Sequence, residues 1–253
     1  MAGIEEHIRM VLTRHCVDTG FYSPVRGVQA IINPVLGRWG GKYIVDVRPS
    51  GSFAKGTAVH GGTDIDIFIS LTSSLNDALK SIYETLFNAL SQAGYAVRRQ
   101  NVSIGITVGG WKVDVTPGRR QDQYGNYHCL WSNKTGSWLQ TNINEHIRVV
   151  SRSGRIDEIR LVKIWRNRFA LDWPSFYLEL FVIDALKGAR VGAVKDNVVT
   201  AFRAIEQSIA TRRLIDPANT NNAVSKTLTA DAKAGLARAA GSALNSSWET
   251  VFQ

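Results

Sequence analysis

Cysteine is almost absent from this chain: Cys16 and Cys129 stand far apart among 253 residues. Two cysteines are too few for a disulfide framework, and they lack the paired spacing of a zinc site. A disulfide framework and structural zinc are therefore not expected, and a reducing, intracellular compartment is. Long apolar runs are also missing. No stretch reaches the ~18 residues that would read as a bilayer span. The first ten residues carry Glu5, Glu6 and Arg9, so they do not read as a secretory leader. Negative charge is in short supply, with 21 Asp and Glu against 30 Lys and Arg, a net +9. A basic excess suits a phosphate-rich partner, nucleotide or nucleic acid, although an ordinary basic surface would look the same. The chain shows no repeats and no long linker. Its hydrophobic content of 44% supports one large core or two closely packed lobes.

Periodicity outlines those lobes. Residues 3–17 read as a helix with Ile4, Ile8, Val11 and Leu12 on one face. Residues 24–38 read as a second, with Val28, Ile31, Ile32, Val35 and Leu36, and with Pro34 as a kink. A strand over 43–48, a short helix over 53–58, a strand over 64–71 and a helix over 75–93 follow. Residues 102–108 and 112–116 form a hairpin around Gly109-Gly110, and Pro117-Gly118 ends its second strand. Residues 121–142 read as a polar, loop-rich stretch anchored by Trp131 and Trp138. Helices then fill 143–152, 156–169, 174–190, 195–210 and 230–250, broken at Gly154, Asp172–Pro174 and Asp216-Pro217. The expected fold is α+β: a mixed-sheet lobe over 1–142 that includes the N-terminal helices, then a helical lobe over 143–253. A cleft between lobes would be the natural nucleotide site.

The chemistry concentrates in Gly51-Ser52-Phe53-Ala54-Lys55-Gly56-Thr57 and the following Asp64-Ile65-Asp66-Ile67. Alternation means a strand, and residues i and i+2 of a strand share a face, so Asp64 and Asp66 point together. Like charges side by side are costly unless a cation lies between them. Asp114, between Val113 and Val115, adds a third carboxylate from another strand. Such carboxylates suit Mg²⁺ or Mn²⁺ carrying a nucleotide phosphate, and three could hold two ions. The Ser52 hydroxyl and the backbone N–H groups of the Gly51 turn would grip phosphate. On the helix over 156–169, Arg160, Lys163 and Asn167 form a polar stripe, which as a pattern is as consistent with a solvated face as with a site.

These residues together resemble the polymerase β-type nucleotidyltransferase superfamily. They look most like the branch holding 2′-5′-oligoadenylate synthetases, cyclic GMP–AMP synthase and bacterial cyclic-oligonucleotide synthases, with archaeal-type CCA-adding enzymes as relatives. The resemblance covers roughly 40–225. It runs through Gly51-Ser52-x-x-Lys55-Gly56-Thr57, Asp64-x-Asp66, Ile159 to Trp165, Pro174 to Leu180, and Asp216-Pro217-Ala218-Asn219 with Asn222 and Val224. It implies that Asp64, Asp66 and Asp114 are the metal-binding, catalytic triad. It implies further that Gly51, Ser52 and Lys55 belong to the nucleotide-binding turn. Lys163 and Ser175 would reach the donor triphosphate, and Phe176 would stack on a base, a contact tolerant of base identity. No His/Cys cluster matches the zinc insertion of the animal cyclic synthase, and the chain length weighs against an added RNA-binding domain.

The expected activity is template-independent, metal-dependent nucleotidyl transfer that makes cyclic or linear oligonucleotide signals in the cytoplasm, with ATP the first choice of substrate. The branch suggests bacterial antiphage defence and an effector protein that responds to the product. The rivals are an enzyme extending an RNA or DNA 3′ end and an inactive nucleotide- or nucleic-acid-binding module. A nucleic acid could enter as activator or as acceptor. Arg119 and Arg120, just past the Asp114 strand, are expected to hold the acceptor's phosphates, with a solvated loop pair as the bland reading.

Overall fold

The computed structural model describes residues 3–252. The chain folds into two compact units, neither contiguous in sequence. One comprises Asp18–Lys55 and Asp64–Ile147; the other comprises the chain up to Val17, Gly56–Thr63, and everything from Arg148 onward. A division at 142/143 therefore differs from these units in three pieces, one of them residues 143–147, which go with the sheet. The first helix, α1 (Ile4–Arg14), and the segment 56–63 both belong with the helices. The cause is apolar: Ile8 and Val11 of α1, and Val59 of the segment, are buried in the core that holds Trp165, Phe181 and Phe202.

The sheet unit contains α2 (Pro24–Gly40), β1 (Ile44–Pro49), α3 (Gly51–Lys55), β2 (Ile65–Leu71), α4 (Leu79–Gln92), β3 (Arg98–Arg99), β4 (Ile104–Val108), β5 (Trp111–Arg120), β6 (His128–Ser132) and β7 (Ser137–Thr141). Pro24 opens α2, where its missing N–H costs nothing, and Pro34 stays inside the helix. The strand order is β1-β2-β5-β4-β3, with β6 on the far end of β5 and β7 on β6. The β2–β5 pair is parallel, while β1–β2, β5–β4 and β4–β3 are antiparallel. Gly109 and Gly110, with φ of +55° and +82°, close the β4–β5 hairpin in the two-residue turn that only such residues adopt readily.

Three expectations need correction here. Strand β5 does not end at Pro117-Gly118 but runs on to Arg120. Its pairing with β4 stops at Val115 and its pairing with β6 starts at Arg119, so Pro117 falls between these partners and its missing N–H interrupts neither ladder. A Cβ on Gly118 would come within 2.5 Å of the Phe68 ring and 2.9 Å of Leu130, so the glycine makes room for a small core of Phe68, Leu130 and Ile143. The stretch 121–142 is not mainly loop: it contains the β6–β7 hairpin. The buried side of β6 is His128, Leu130 and Ser132, too polar to give an apolar alternation. Trp131 and Trp138 pair across this hairpin, but Trp138 is 59% exposed and anchors no core.

His128 is buried in that hairpin. Its Nδ1 lies 2.9 Å from the Asn126 carbonyl and its Nε2 2.8 Å from Ser70 Oγ. A carbonyl can only accept, so Nδ1 carries the proton and Nε2 accepts from Ser70. Arg120 donates to the same Ser70 oxygen. Burial first, and then the charges of Arg120 and Arg48, push His128 down to about 4, against the pull of the Asn126 carbonyl.

The helical unit contains α1, α5 (Ile143–Ser151) from Arg148 onward, α6 (Ile156–Arg168), α7 (Ser175–Ala185), α8 (Val194–Ser208), α9 (Ala230–Leu244) and α10 (Trp248–Val251). A ribbon of β8 (Ile215–Asp216) and β9 (Asn219–Ala223) occupies the region expected to be a simple break. The last expected helix is split in two, and Ser247 caps the second piece. Among the described residues no helix is long and apolar enough to cross a membrane.

Helix α7 is apolar on nearly every side, yet Glu179 sits in its middle with 0% exposure. An isolated buried carboxylate would be very costly. Lys163 of α6, itself 1% exposed, places its Nζ 2.7 Å from Glu179 Oε1, and Thr57 Oγ1 donates to the same oxygen at 2.6 Å. The Lys163 ammonium also donates to Thr57 Oγ1 and to the Thr57 carbonyl, at 3.0 and 3.3 Å.

Two stability predictions result. Unfolded histidine binds its proton near pH ~6.5, whereas folded His128 does so only at about 4. Between these values the unfolded state holds more protons, so stability is lost as pH falls through that window. His128→Asn should flatten this slope by up to ~1.4 kcal/mol per pH unit, read from urea melts of both proteins; equal slopes would refute the neutral, buried imidazole. In the helical unit, Lys163→Ala strands the Glu179 charge and should cost about 3–5 kcal/mol, whereas the double change Lys163→Met with Glu179→Leu should recover most of that loss. Denaturant unfolding distinguishes the two outcomes.

Candidate active site

The sheet unit gathers the carboxylates. Asp64 lies just ahead of β2, Asp66 is its second residue, and Asp114 is directly across from Asp66 in the parallel register with β5. Residues paired this way on adjacent strands share a face about 4.8 Å apart. The intervening Ile65, Ile67, Val113 and Val115 are fully buried, which fixes which side the acids take. Burial raises the Asp114 carboxyl above the usual range. The negative charge of Asp64 raises it further, opposed by a hydrogen bond from Gln100 and by the charge of Arg98. The charge of Asp64 is therefore close enough to be felt at Asp114.

The glycine turn is joined to this face. Gly51 has φ of +56°, and a Cβ there would lie 1.8 Å from Asp66 Oδ2. Only a residue without a side chain allows so close an approach. The Ser50 N–H donates to the Asp66 carbonyl at 2.8 Å, tying the turn to β2. Ser52 and Lys55 follow on α3, and both are buried. The donor set fits a hard divalent cation. Among the described residues no three His, Cys, Asp or Glu side chains form a ready-made metal cage, but Mg²⁺ typically takes one or two carboxylates and completes its shell with water and substrate phosphate.

Arg119 and Arg120, expected to hold the acceptor's phosphates, both make hydrogen bonds within the sheet unit. Adjacent strand residues point to opposite faces, so the two side chains leave β5 on different sides. Arg119 Nη1 donates to the carbonyls of Leu75 and Asp77 at 3.1 and 2.9 Å, and Arg120 Nε to Ser70 Oγ at 3.1 Å. Both hold the sheet unit's own loops and strands.

In the helical unit, the polar stripe of α6 is not a solvated face. Arg160 Nε donates to the Gly56 carbonyl at 3.0 Å, Lys163 grips Thr57, and a Cβ on Gly62 would collide with the Asn167 amide. The stripe thus holds the segment 56–63. Lys163 is turned inward to Glu179, and a triphosphate contact would require that pair to part. Ser175 and Phe176 open α7 and are half-buried. The Ser175 hydroxyl accepts from Arg166 Nη1 at 2.9 Å, and Arg166 is fixed by the Trp173 carbonyl and by Asn167.

Sequence reasoning missed Arg166, Glu179 and Gln100 as site-building residues. A charged residue inside an otherwise apolar helix was the available signal for Glu179. Nothing local distinguished Gln100, whose Nε2 donates to Asp114 Oδ1 at 2.7 Å.

No family model matches the chain. The cyclic AMP-AMP-AMP synthase of Escherichia coli (strain MS 115-1) is 27% identical over 155 residues, 54% of this chain and 47% of that protein, so the match spans about half of the relative. The structure of E. coli MS115-1 CdnC with ATP superposes with a TM-score of 0.74 at 20% identity, covering 94% of this chain and 89% of that one. The Cid1 poly(U) polymerase bound to MgATP gives 0.70 at 13% identity, over 99% and 98% of the two chains. With the glycine turn and the carboxylates in the order described, the chain has the fold of the polymerase β-type nucleotidyltransferases and is similar in sequence to their cyclic-oligonucleotide synthase branch.

Proposed function

We propose that this protein is a template-independent, metal-dependent nucleotidyltransferase that makes cyclic or linear oligonucleotide signals from nucleoside triphosphates, ATP foremost, in the cytoplasm of a bacterium resisting phage. The carboxylate face carries the reading: Asp66 abuts the Gly51 turn, Asp114 is in register beside it, and Asp64 is near enough to raise the Asp114 carboxyl. The named activity of the E. coli relative supports the product class. An effector protein responding to the product would complete the pathway.

Asp64, Asp66 and Asp114 would hold Mg²⁺ or Mn²⁺, two ions in this reading, and the bound metal would neutralise the triphosphate and the leaving pyrophosphate. The Gly51-Ser52 turn, with Lys55 behind it, would orient the donor's phosphates. Ser175, set by Arg166, and Phe176 are assigned to the donor's phosphates and base. In the reaction the acceptor hydroxyl oxygen bonds to the donor α-phosphorus, the bond from that phosphorus to the β-phosphate oxygen breaks, and pyrophosphate leaves. The hydroxyl proton passes to Asp114, the carboxylate assigned to the acceptor side in this reading.

A second reading, extension of an RNA or DNA 3′ end, is favoured by the likeness to the poly(U) polymerase fold and by the net charge of +9. One assay separates the two. Purified protein is incubated with each labelled NTP and dNTP, with Mg²⁺ or Mn²⁺, with and without added strands. Small phosphatase-resistant products support the signal synthase, and label appearing only on added strands supports tailing. Asp64→Asn combined with Asp66→Asn should abolish incorporation while leaving stability unchanged or slightly raised, because the repelling charges go and the side chains keep their size. Turnover at the parental rate in that variant would sink the metal-dependent mechanism.

A further inference from the structure

Asp114 faces the glycine of the neighbouring strand: its register partner on β4 is Gly105. A Cβ on Gly105 would lie 2.9 Å from Gln100 Nε2 and 3.1 Å from Arg98 Nη2. The missing side chain is therefore the gap through which two side chains from the β3 edge cross β4 towards Asp114. Of these, Gln100 makes the bond. Its Nε2 donates to Asp114 Oδ1 at 2.7 Å, and its Oε1 accepts from Ser103 Oγ at 2.7 Å. The ionised Asp114 carboxylate can only accept, so the amide nitrogen must be the end that meets it, and the Ser103 hydroxyl then donates to the amide oxygen.

The backbone of Gln100 is held as firmly as its side chain. Its N–H donates to the Ser103 carbonyl at 3.1 Å, and its carbonyl accepts from Asn133 Nδ2 at 2.7 Å. The hydroxyl of Tyr83, a fully buried ring, lies against the same loop, 2.9 Å from the Ser103 carbonyl and 3.2 Å from the Gln100 nitrogen. A side chain that merely packed would not need this number of fixed partners. A neutral amide is also a particular choice, because it orients a carboxylate without cancelling its charge.

We propose that Gln100 is the positioning residue for Asp114: its amide clamps Oδ1 and so fixes the carboxylate plane, leaving Oδ2 for the metal and the reacting groups, and Gly105 exists to let the amide through. The role rests on the reading of Asp114 as a member of the catalytic carboxylate site. Gln100 touches neither substrate in this arrangement, so its loss should act on the bond-forming step and not on donor binding.

The test uses the full chain. Gln100→Ala should lower kcat about 10- to 100-fold, the usual weight of a hydrogen bond to a charged group. Binding of a non-hydrolysable ATP analogue with Mn²⁺ should stay within about twofold, since no donor contact is lost. Gly105→Ala adds one methyl at an ordinary strand position and displaces the amide. It should reproduce the loss of kcat, and the double variant should lose no more than Gln100→Ala alone, because both changes break one contact. Additive losses, or equal losses of kcat and analogue binding, would overturn the proposal. An independent readout is the Gln100 side-chain amide in ¹⁵N NMR, which should be shifted and exchange-protected and should lose both properties in Asp114→Ala; an amide indifferent to that change overturns the clamp itself. Wild-type protein that incorporates no nucleotide would instead overturn the function proposed above and Asp114's part in it, with the NMR result still deciding whether the clamp exists.

Discussion

Parallel pairing of β2 with β5 is the constraint on which the site depends. Its register sets Asp66 beside Asp114, and the fully buried Ile65, Ile67, Val113 and Val115 lock that register, since a slip by one residue would turn the acids into the core and the aliphatics out. Repulsion among the acids is thereby built into the fold. The protein tolerates it with the means at hand: a glycine that lets the turn press against Asp66, an amide on Asp114, and an arginine nearby. The amide and the arginine soften the charge of Asp114 without removing it, which is what a face meant to receive a cation and phosphates requires.

The helical unit solves a related problem in the opposite way. Glu179 lies in an apolar helix, and there the counter-charge is complete and internal. The pair also takes hold of Thr57, the last residue of the glycine-turn motif. A buried ion pair of this kind contributes little net stability but is costly to break singly, so its value lies in specifying one arrangement of the segment 56–63.

How much of this was legible in the sequence varies with the kind of signal. The carboxylate face was readable because Asp64, Asp66 and Asp114 alternate with aliphatic residues, and period two states which side chains share a side. The same rule sends Arg119 and Arg120, both placed beyond Asp114 by their distance along the chain, to different sides of the strand. Strand β6 was hidden because its inward side is histidine, leucine and serine, made acceptable by Ser70 and Asn126 from elsewhere in the fold. Lys163 was found as a residue but not as a contact, because a resemblance gives the residue type and leaves its direction to the packing. Gln100 was out of reach altogether: its meaning depends on Gly105 lying opposite Asp114, a pairing that exists only once the hairpin has closed.

The interleaving of the two units bears on how the molecule comes into being. The helical unit draws on the beginning of the chain, on the short segment 56–63 and on everything after residue 147, so it is closed only when the last helices have left the ribosome. The sheet unit is threaded between those pieces as two insertions and can be complete long before. Until then Ile8, Val11 and Val59 have no core to enter, and an expressed half cut at any single point would carry apolar surface meant for residues it lacks. A chain arranged in this way can finish its carboxylate face early, while the core that takes up Ile8, Val11 and Val59 waits for the end of synthesis.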